Sequence, residues 1–468
     1  MSVTPTDSDT LTRGAGSHTG GQLKKVLGLG ALLATAVGLV VGQGPLISVL
    51  QVVGFSSYGA FIAIIAAFVL SLCYAASFSE LSLMMPKAGG ISNYTEVAIG
   101  HFPAIVAVFA GYVIVPMLGL SAEIFLVDAI LNELFPGMAS PMVIGFAILA
   151  LFTLLNLLGI DIFARVQSLL AFAMVVFLSL VGVAGLGNFA ETMPVEANSF
   201  ADWQLDGLGV FSLVALAIWG FVGAEYVSPL VEEAKNPEKD IPRAMYLGLY
   251  IILGIYLLLV LAALNFVPAE TLASSELPHI DLMSAVFGES ALLLIAAVAI
   301  TGTCSTVNSV LAAIPRMLYG MANNGQVFPI LKAVNKQGEP WIAVIFMALV
   351  TAIPLFFIAS DTDSVILLLI SASTCWFLTY IVAHIDVVVL RKRYPNVARP
   401  YKSPFYPVPQ IVGILGMLYA AMNNSPSPEM TQQVYSLMGI ILLIVCVIGA
   451  IWVKFVMGRG LFEPDELN

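Results

Sequence analysis

Six ionisable residues lie inside long apolar stretches of this chain, where ordinary surface charges are not expected. They are Glu80, Glu123, Asp128, Glu225, His384 and Asp386. A charged group inside a membrane is costly, so such residues usually relay protons, pair with an opposite charge or contact a substrate. Glu80, His384 and Asp386 stand near the ends of their apolar runs, where we expect snorkelling or loop contacts. Glu123 and Glu225 are therefore the most informative of the six.

Glu225 and Glu123 each have a functional and a structural interpretation. Glu225 follows a glycine-rich stretch and is a candidate for carrying a proton or bracing a gate, with a structural hydrogen-bonding role as the alternative. Glu123 is a candidate for pairing with a positively charged group of a ligand, with pairing to neighbouring polar groups as the alternative.

The histidines argue against a membrane enzyme. Covalent chemistry would need paired carboxylates, His/Asp clusters or metal-ligand spacing facing one cavity. The four histidines are far apart in the chain: His18, His101, His279 and His384. We expect neither an enzyme nor a cofactor.

The stretch TGTCSTVNS is a dense polar cluster inside an apolar run. The hydroxyls of Ser305 and Thr306 would join the backbone carbonyls of Gly38 and Val41 around a hard cation, because such ions prefer oxygen ligands. This is a hypothesis for a sodium site. The alternative is that small hydroxyl residues pack helices together and bond to the backbone one turn away. Asn308 has the same two interpretations.

Two apolar stretches contain residues that interrupt helices. VVGQGPLIS places Gly42, Gly44 and Pro45 close together, and proline removes a backbone donor while glycine weakens a helix. IWGFVGAEY places Gly220 and Gly223 around two apolar residues. A break within a membrane survives only where its backbone faces protein or a water-filled cavity. The alternative is that these glycines only allow close helix packing.

The positions of the two interruptions predict an architecture. Interrupted first and sixth helices are typical of a pair of inverted five-helix repeats, whose half-helix N-termini present free N–H groups to an anion. A substrate carboxylate is the natural anion. We predict an all-α membrane protein of about twelve transmembrane helices, with a 5+5 inverted repeat, broken helices 1 and 6, and two extra helices.

The composition requires a membrane. Of the 468 residues, 59% are hydrophobic and only 10% are charged, and the mean hydropathy is +0.98. A soluble fold could not bury that much apolar surface. Runs of roughly 20 apolar residues, each able to cross about 30 Å of hydrocarbon, recur along the chain. We place spans near 24–53, 57–85, 103–135, 141–159, 163–187, 208–231, 243–266, 283–321, 340–358, 363–390, 406–422 and 433–457.

The basic residues predict the orientation. If the N-terminus is cytoplasmic, all 18 Lys and Arg residues fall on the cytoplasmic side of these spans, as the positive-inside rule requires. We therefore expect a multi-pass protein of the plasma or inner cell membrane, surrounded by the lipid bilayer, with both termini in the cytoplasm. The net charge of −11 gives no indication of nucleic acid binding. The sequence leaves the oligomeric state open.

Five stretches carry a resemblance to a known superfamily. They are VGQGPLIS, FSELSLMMPKAGGISNY, WGFVGAEYVSPLVEEAKNPEKDIPRAM, IPRMLYGMANNGQVFPILKAVNKQGEPW and RPYKSPFYP. Over nearly its whole length the chain resembles the amino acid, polyamine and organocation transporter superfamily, which has the leucine-transporter fold. The resemblance implies this division of the chain: a disordered cytoplasmic tail at 1–22, a single transporter domain at 23–460 (repeat one 24–187, repeat two 208–390, extra helices 406–457) and a cytoplasmic tail at 461–468.

The resemblance also implies a carboxylate site in the first span. There the backbone amides of Gly42, Gln43 and Gly44 would bind the substrate carboxylate. The family usually has a small residue between these glycines and an apolar residue after them, whereas this chain has Gln43 and Pro45. Either the pocket is smaller in this chain, or Gln43 itself bonds to the substrate.

In the sixth span the resemblance implies an amine site. The backbone carbonyls of Gly220, Phe221 and Val222 would receive the amino group, next to Gly223 at the end of the interruption. Trp219 would cover the bound substrate, with a packing or interfacial role as the alternative.

Three further residues are compared with the family. Glu225 matches a glutamate that is common there, and Glu123 lies in the third helix, which lines the substrate cavity. Some proton-coupled relatives carry a lysine in the fifth helix whose ammonium replaces a sodium ion. This chain has no lysine in that span, and Met174 is near the matching place.

These features predict a secondary active transporter, a permease or exchanger, that carries an amino acid by alternating access. A small or neutral amino acid is favoured because no basic residue lies in the predicted cavity. Coupling to a proton or to sodium is left open. Transport of a polyamine or another amine is the first alternative, and a transporter-like nutrient receptor is the alternative from another class.

Overall fold

The fold is helical wherever the chain is described. A computed structural model describes residues 25–187, 213–357, 362–424 and 428–467. The α-helices are α1 (Leu29–Val40), α2 (Gln43–Ser56), α3 (Ala60–Met84), α4 (Ile91–Ala98), α5 (His101–Val108), α6 (Ser121–Leu134), α7 (Val143–Leu157), α8 (Ile160–Leu186), α9 (Val214–Ala217), α10 (Pro237–Phe266), α11 (Ala269–Ser274), α12 (Pro278–Phe287), α13 (Ala291–Asn323), α14 (Trp341–Leu355), α15 (Thr362–Arg393), α16 (Val408–Met422) and α17 (Pro428–Ile451). The predicted all-α class is confirmed, and the predicted disordered tail at 1–22 lies outside the described residues.

Many of these helices are built to cross a bilayer. Within the described ranges, eight helical stretches are long and apolar enough to span a membrane by length and composition. Four shorter apolar helices accompany them: α1, α7, α14 and α16. A multi-span membrane protein is confirmed, while the count of about twelve spans stays a prediction.

The predicted break in the first span is confirmed. Helix α1 ends at Val40 and α2 begins at Gln43, so Val41 and Gly42 connect two separate half-helices. Pro45 falls in the first turn of α2, where a backbone N–H has no partner inside the helix and its loss costs little. Proline is therefore compatible with the start of α2 but would interrupt a helix that continued from α1.

The predicted break in the sixth span is also confirmed. After α9 the chain forms a 3₁₀ turn at Ile218–Phe221, leaves helical geometry, and resumes as a 3₁₀ helix at Ala224–Glu233. Gly223 has φ = +117° at this point, a conformation that glycine adopts without a steric penalty. The sixth span is thus interrupted where its two glycines stand.

The third span departs from regular α-helix, which the sequence analysis did not predict. Two π-helical segments, Phe109–Ile114 and Pro116–Leu120, lie between α5 and α6. Pro116 has no N–H to donate, so the regular ladder of hydrogen bonds cannot pass through it. These two π-helical segments have wider turns than an α-helix. They bring the third span alongside the two breaks and lead directly into α6.

Two other boundaries differ from the predicted spans. The predicted span 283–321 is divided into α12 and α13 by a 3₁₀ turn at Gly288–Ser290. Helix α4 lies where a loop was expected between the second and third spans. Both α11 and α12 pack on α2. Tertiary contacts of this kind stabilise short helices whose boundaries cannot be read from the hydropathy of the sequence.

The two broken spans are tied together at one end. The amides of Val26 and Leu27 both donate to the Glu233 carbonyl at 2.9 Å, next to an isolated bridge between Leu27 and Ala234. The carboxylate of Glu233 pairs with the buried Arg316 of α13, which also reaches Glu339 at 2.8 Å. Each charge in this buried network has an opposite charge beside it, as burial requires.

Candidate functional site

A carboxylate occupies the break in the first span. The amide nitrogens of Gln43 and Gly44 donate to the two carboxylate oxygens of Glu123 at 2.7 and 2.6 Å. These are first-turn amides of α2, which have no partner within the helix and lie at its positive end. A Cβ on Gly42 would stand 2.8 Å from Glu123 Oε1, so a larger residue at this position would push the carboxylate away. The break is therefore a preformed carboxylate site.

The side chain of Gln43 points away from this site. Its Nε2 donates to the Ala299 carbonyl of α13 at 3.2 Å, and its Oε1 has no hydrogen-bond partner among the described residues. The sequence left open whether Gln43 bonds to the substrate. In this state it instead joins α2 to α13.

The carbonyls at the break in the sixth span are only partly free. The hydroxyl of Tyr74 donates to the Phe221 carbonyl at 2.6 Å, so that carbonyl already has a donor. Gly220 packs against Val49, with 2.6 Å between the position of an added Cβ and the Val49 side chain. Of these residues, Val222 lines the cavity described below.

Glu225 braces the second break rather than lining the cavity. Its carboxylate accepts hydrogen bonds from the Tyr380 hydroxyl at 2.6 Å, the Trp376 indole at 3.1 Å and the Gly223 amide at 3.1 Å. The Tyr112 hydroxyl is a fourth donor at 3.4 Å. The side chain is completely buried, so these donors replace water around it. Glu225 thereby joins the break to α15 and to the third span.

A small cavity lies between the two breaks. Its volume is about 40 Å³, room for a few water molecules and not for an amino acid. The side chain of Trp219 lines it, and an added Cβ on Gly44 would stand 2.9 Å from Trp219 Nε1. Within the described residues this Nε1 has no hydrogen-bond partner. The lining residues are Leu39, Pro45, Val115, Pro116, Gly119, Leu120, Glu123, Trp219, Val222, Tyr226, Thr306, Val310 and Trp376.

A second polar cluster lies where the sequence predicted a sodium site. Gln167 of α8 donates through Nε2 to Ser305 Oγ at 2.8 Å and to the Ala34 carbonyl at 3.2 Å. Gly38 packs so tightly there that an added Cβ would overlap both Gln167 Nε2 and Ser305 Oγ. The amide of Gln167 is therefore bonded to Ser305 Oγ, one of the oxygens that were proposed to hold a cation.

The other predicted coupling and binding residues are divided between the cavity and the polar cluster around Gln167. Thr306 lines the cavity, and its hydroxyl donates to the Gly302 carbonyl one turn back at 3.1 Å. The Val41 carbonyl lies 3.1 Å from the place of an added Cβ on Gly302. Asn308 belongs to the Gln167 cluster and donates to Gln167 Oε1 at 2.9 Å. The structure thus separates Thr306 and Asn308, which the sequence placed in one polar stretch.

The three ionisable residues near helix ends, for which snorkelling or loop contacts were expected, are buried and bonded, and Glu80 makes loop contacts of the expected kind. Glu80 is paired with Arg391 at 2.6 Å and accepts the Ser403 amide at 2.7 Å. Asp386 accepts from Thr95 at 2.6 Å, and all three residues near helix ends are at most 1% exposed. Helices and loops packed over these ends exclude the water that a snorkelling charge would reach.

Sequence reasoning missed Gln167, Trp376 and Tyr380. Gln167 is a lone amide in an apolar helix, and that polarity was a usable signal. Trp376 and Tyr380 stand one turn apart on α15, but aromatic residues are common in such helices. Their joint contact with Glu225 follows from helix packing, which the sequence does not state.

The chain is similar in sequence to known amino acid transporters. A sequence model of the family described as "Amino acid permease" matches residues 27–455. The chain is 25% identical over 427 residues to the serine/threonine exchanger SteT of Bacillus subtilis (strain 168), covering 89% of this chain and 95% of that one. It is also 25% identical over 429 residues to the b(0,+)-type amino acid transporter 1 of Mus musculus, covering 87% of this chain and 84% of that protein.

A solved structure shares the fold. The crystal structure of a mutant manganese transporter from Eremococcus coleocola matches with a TM-score of 0.59, at 11% sequence identity, over 92% of this chain and 93% of that one. At this identity the likeness shows the fold alone. The fold is that of a multi-span transporter, and in this chain the first and sixth spans are broken as described above.

Proposed function

Because the chain belongs to the amino acid permease family and acts as an amino acid transporter, we propose that its substrate is a small neutral amino acid, moved by alternating access without covalent chemistry. The observation that carries this proposal is the pair of α2 amides that hold the Glu123 carboxylate. Two N–H groups on one carboxylate are what the α-carboxylate of an amino acid requires.

Binding follows from this geometry as an exchange of carboxylates. The substrate carboxylate takes the amides of Gln43 and Gly44 while Glu123 moves aside. Trp219 offers its free indole N–H and a flat apolar face over the site. The cavity must enlarge as this happens, since about 40 Å³ does not hold an amino acid. Opening to either side follows from movement of the half-helices around this point.

The preference for a neutral substrate rests on the residues that line the cavity. Apart from Glu123 and Thr306, the cavity is lined mainly by apolar and aromatic side chains, and none of the lining residues is basic. An acidic substrate side chain would face the Glu123 carboxylate without a compensating cation. The relatives whose names state a substrate include a serine/threonine exchanger, which supports a neutral side chain.

An amine without a carboxylate is the second candidate. The cavity contains the Glu123 carboxylate together with Trp219, Trp376 and Tyr226, and a cation can bind to both a carboxylate and aromatic faces. In that case Glu123 stays on the α2 amides and the amine binds beside it. A receptor that binds a nutrient without moving it is the candidate from another class.

Uptake and exchange in proteoliposomes distinguish these candidates. We expect labelled serine, threonine or alanine to exchange, and we expect putrescine and the amides of the same amino acids to exchange poorly. The variant Trp219→Ala should weaken the apparent affinity because it removes the cover and a donor. Exchange of amines alone would support the second candidate, and binding without any movement would support the receptor.

We also propose that the protein lies in the plasma or inner cell membrane with both termini in the cytoplasm. The support is the placement of all 18 basic residues on one side of the predicted spans. Cysteines introduced near residues 13 and 465 should react with a membrane-impermeant thiol reagent only after the cells are opened. Labelling in intact cells would reverse the orientation.

A further inference from the structure

A second, larger cavity lies away from the helix breaks. Its volume is about 260 Å³, compared with about 40 Å³ for the cavity between the breaks. Pockets for drug-sized ligands have about 300–1,000 Å³, so this cavity has room for a smaller molecule such as an amino acid. It is formed by α4 and the loop before it, the end of α13 and the C-terminal segment (458–467). Two of its lining residues, Lys87 and Arg459, belong to the basic residues that place this end of the protein in the cytoplasm.

Side-chain amides form the wall of this cavity on the side of α4. Asn324 Nδ2 donates to Asn93 Oδ1 and to Glu96 Oε1, both at 2.7 Å. Asn93 is 3% exposed, and its Nδ2 has no hydrogen-bond partner among the described residues. An unsatisfied buried donor is costly. This wall therefore retains one unused hydrogen-bond donor.

Side chains of both charges line the cavity. Arg459 and Asp465 pair with each other, and Asp465 also lies 3.2 Å from the ring of His101. Lys87 and Glu466 are exposed, and in the described part of the chain neither side chain has a hydrogen bond or an ion pair. One uncommitted cation and one uncommitted anion are the complement of a ligand that carries both charges.

The cavity wall is also joined to the broken sixth span. The Ala88 amide, in the loop before α4, donates to Glu232 Oε1 at 2.7 Å, and Glu232 belongs to the 3₁₀ helix that follows the break. Gly320 of α13 packs so closely on this loop that an added Cβ would overlap the backbone of Gly89. A ligand that holds the C-terminal segment on α4 would therefore also restrain the cytoplasmic half of the sixth span.

We propose that this cavity is a cytoplasmic binding site for a zwitterionic amino acid, separate from the transport site between the breaks. The ligand carboxylate binds to Lys87 and the ligand ammonium group binds to Glu466. A bound amino acid fixes the C-terminal segment against α4 and keeps the cytoplasmic half of the sixth span in place, so a high cytoplasmic concentration slows transport. The choice of ligand rests on the proposed function, and the choice of side rests on the proposed orientation.

Equilibrium binding of labelled serine to the purified full-length protein tests the site. We expect two serine molecules per chain in the wild type and one in Trp219→Ala, in which the transport site is weakened. In that background, Lys87→Gln and Glu466→Gln should each lower the remaining affinity about tenfold, because each removes a charged hydrogen-bond partner. Alaninamide and propionate each lack one charge of alanine, and both should compete about tenfold less well than alanine does.

Lys392 provides the control for these variants. It is exposed on α15 and lies outside the cavity lining, so Lys392→Gln should bind serine as the wild type does. An equal loss of affinity in Lys392→Gln and Lys87→Gln would refute the assignment, because surface charge in general would then be the cause. A single serine per chain that is lost in Trp219→Ala would also refute it, and would leave the proposed function intact.

Exchange in right-side-out membrane vesicles tests the effect on transport. As the serine concentration inside the vesicles is raised, we expect the rate of serine uptake by the wild type to rise and then to fall. In Lys87→Gln the fall should begin at a concentration about tenfold higher. A wild-type rate that only rises to a plateau would overturn the proposed inhibition. If no amino acid is exchanged but serine binding still depends on Lys87, the proposed function fails and this binding site stands.

Discussion

Two buried glutamates stand at the two helix breaks, and they differ in what surrounds them. Glu225 has four donors from three parts of the chain and lies outside the cavity lining. Among the described residues, Glu123 has only the two amides of α2 as hydrogen-bond donors, and it faces the cavity. A carboxylate held by many partners is suited to bracing, whereas one held by two is easier to displace. We therefore infer that the substrate displaces Glu123, and not Glu225, from its hydrogen-bond partners.

The first prediction concerns Glu123→Gln. A neutral amide bonds less strongly than a carboxylate to the amides of Gln43 and Gly44, so it competes less with a substrate carboxylate. We expect the KM for serine or alanine to fall about fivefold, while binding of a simple amine becomes weaker. Initial rates of exchange in proteoliposomes measure both effects.

Asp128 supplies the control for this prediction. It lies on α6 with Glu123, is 3% exposed, and likewise accepts two backbone amides, from Met142 at 2.7 Å and Gly145 at 3.0 Å. Asp128→Asn should leave the KM unchanged because Asp128 is outside the cavity lining. A higher KM for amino acids in Glu123→Gln would show that Glu123 mainly binds the ammonium group.

At the scale of elements, each break depends on a backbone that an ordinary helix cannot provide. The first break is stabilised by a carboxylate on two orphan amides. The second depends on Gly223, whose φ of +117° places the following 3₁₀ helix at a new angle. Breaks of this kind let half-helices move as separate bodies.

The second prediction tests the backbone of the sixth span. Gly223→Ala forces a Cβ into the left-handed region, at a cost of about 1–2 kcal/mol, and against the Leu39 side chain. We expect a lower melting temperature and slower exchange. Gly254→Ala is the control, because Gly254 lies inside α10 with nothing within 4 Å of an added Cβ. That change should be neutral or stabilising, and equal loss in both variants would contradict the prediction.

The third prediction concerns α4 and the C-terminal segment that packs on it. The Asp465 amide donates to the Glu96 carbonyl at 3.0 Å, and the carboxylate of Glu96 accepts from Asn324 at 2.7 Å and Gln326 at 2.6 Å. Burial first, and then the negative charge of Asp465, raise the pKa of Glu96 from 4.5 to about 8. The folded protein therefore binds this proton more tightly than the unfolded chain.

The sign of the pH effect follows from linkage. The stabilisation from protonated Glu96 is complete below about pH 4.5 and is lost as the pH rises through about 8. We expect the melting temperature to fall between these values, and Glu96→Gln to reduce that fall because an amide does not titrate. Thermal unfolding across the pH range measures both slopes, and equal slopes would rule out Glu96 as the cause.

At the scale of the whole molecule, the outer surface is apolar because lipid is its solvent. Large side chains such as Leu169, Phe172 and Leu293 are 68%, 69% and 72% exposed, while the polar clusters lie inside. The last long span, Pro428–Val456, is the least covered of the long spans, since only 17% of its most apolar stretch is buried inside the protein. This inverted distribution is what a membrane protein requires.

The fourth prediction tests this outer surface. Phe172 is near the middle of α8, so Phe172→Lys would place a charge in hydrocarbon at a cost of about 2.5–3.5 kcal/mol. We expect lower yield and a lower melting temperature in detergent and in lipid. Phe455, 79% exposed beside Lys454 at the end of the last span, is the control, and Phe455→Lys should have little effect. Similar losses in both would mean that depth in the bilayer is not the cause.

The sequence by itself determined the membrane class, the family resemblance and the positions of both breaks. It could do so because hydropathy, the missing N–H of proline and the weak helix propensity of glycine act locally. The third span shows where local rules fall short, since its π-helical segments were predicted as a regular helix. The same holds for α4, which is stabilised by contacts with distant parts of the chain.

Only the tertiary structure decided which polar groups meet. Glu123 reaches amides that are 79 and 80 positions away in the chain, and Gln167 reaches Ser305 across 138 positions. A sequence can place each residue on a helix, but the rotation and the relative height of packed helices depend on many side chains at once. For that reason the sequence named Gly42, Gln43 and Gly44 but not Glu123, which accepts from the amides of the last two, and the amide of Gln167 was not predicted at all.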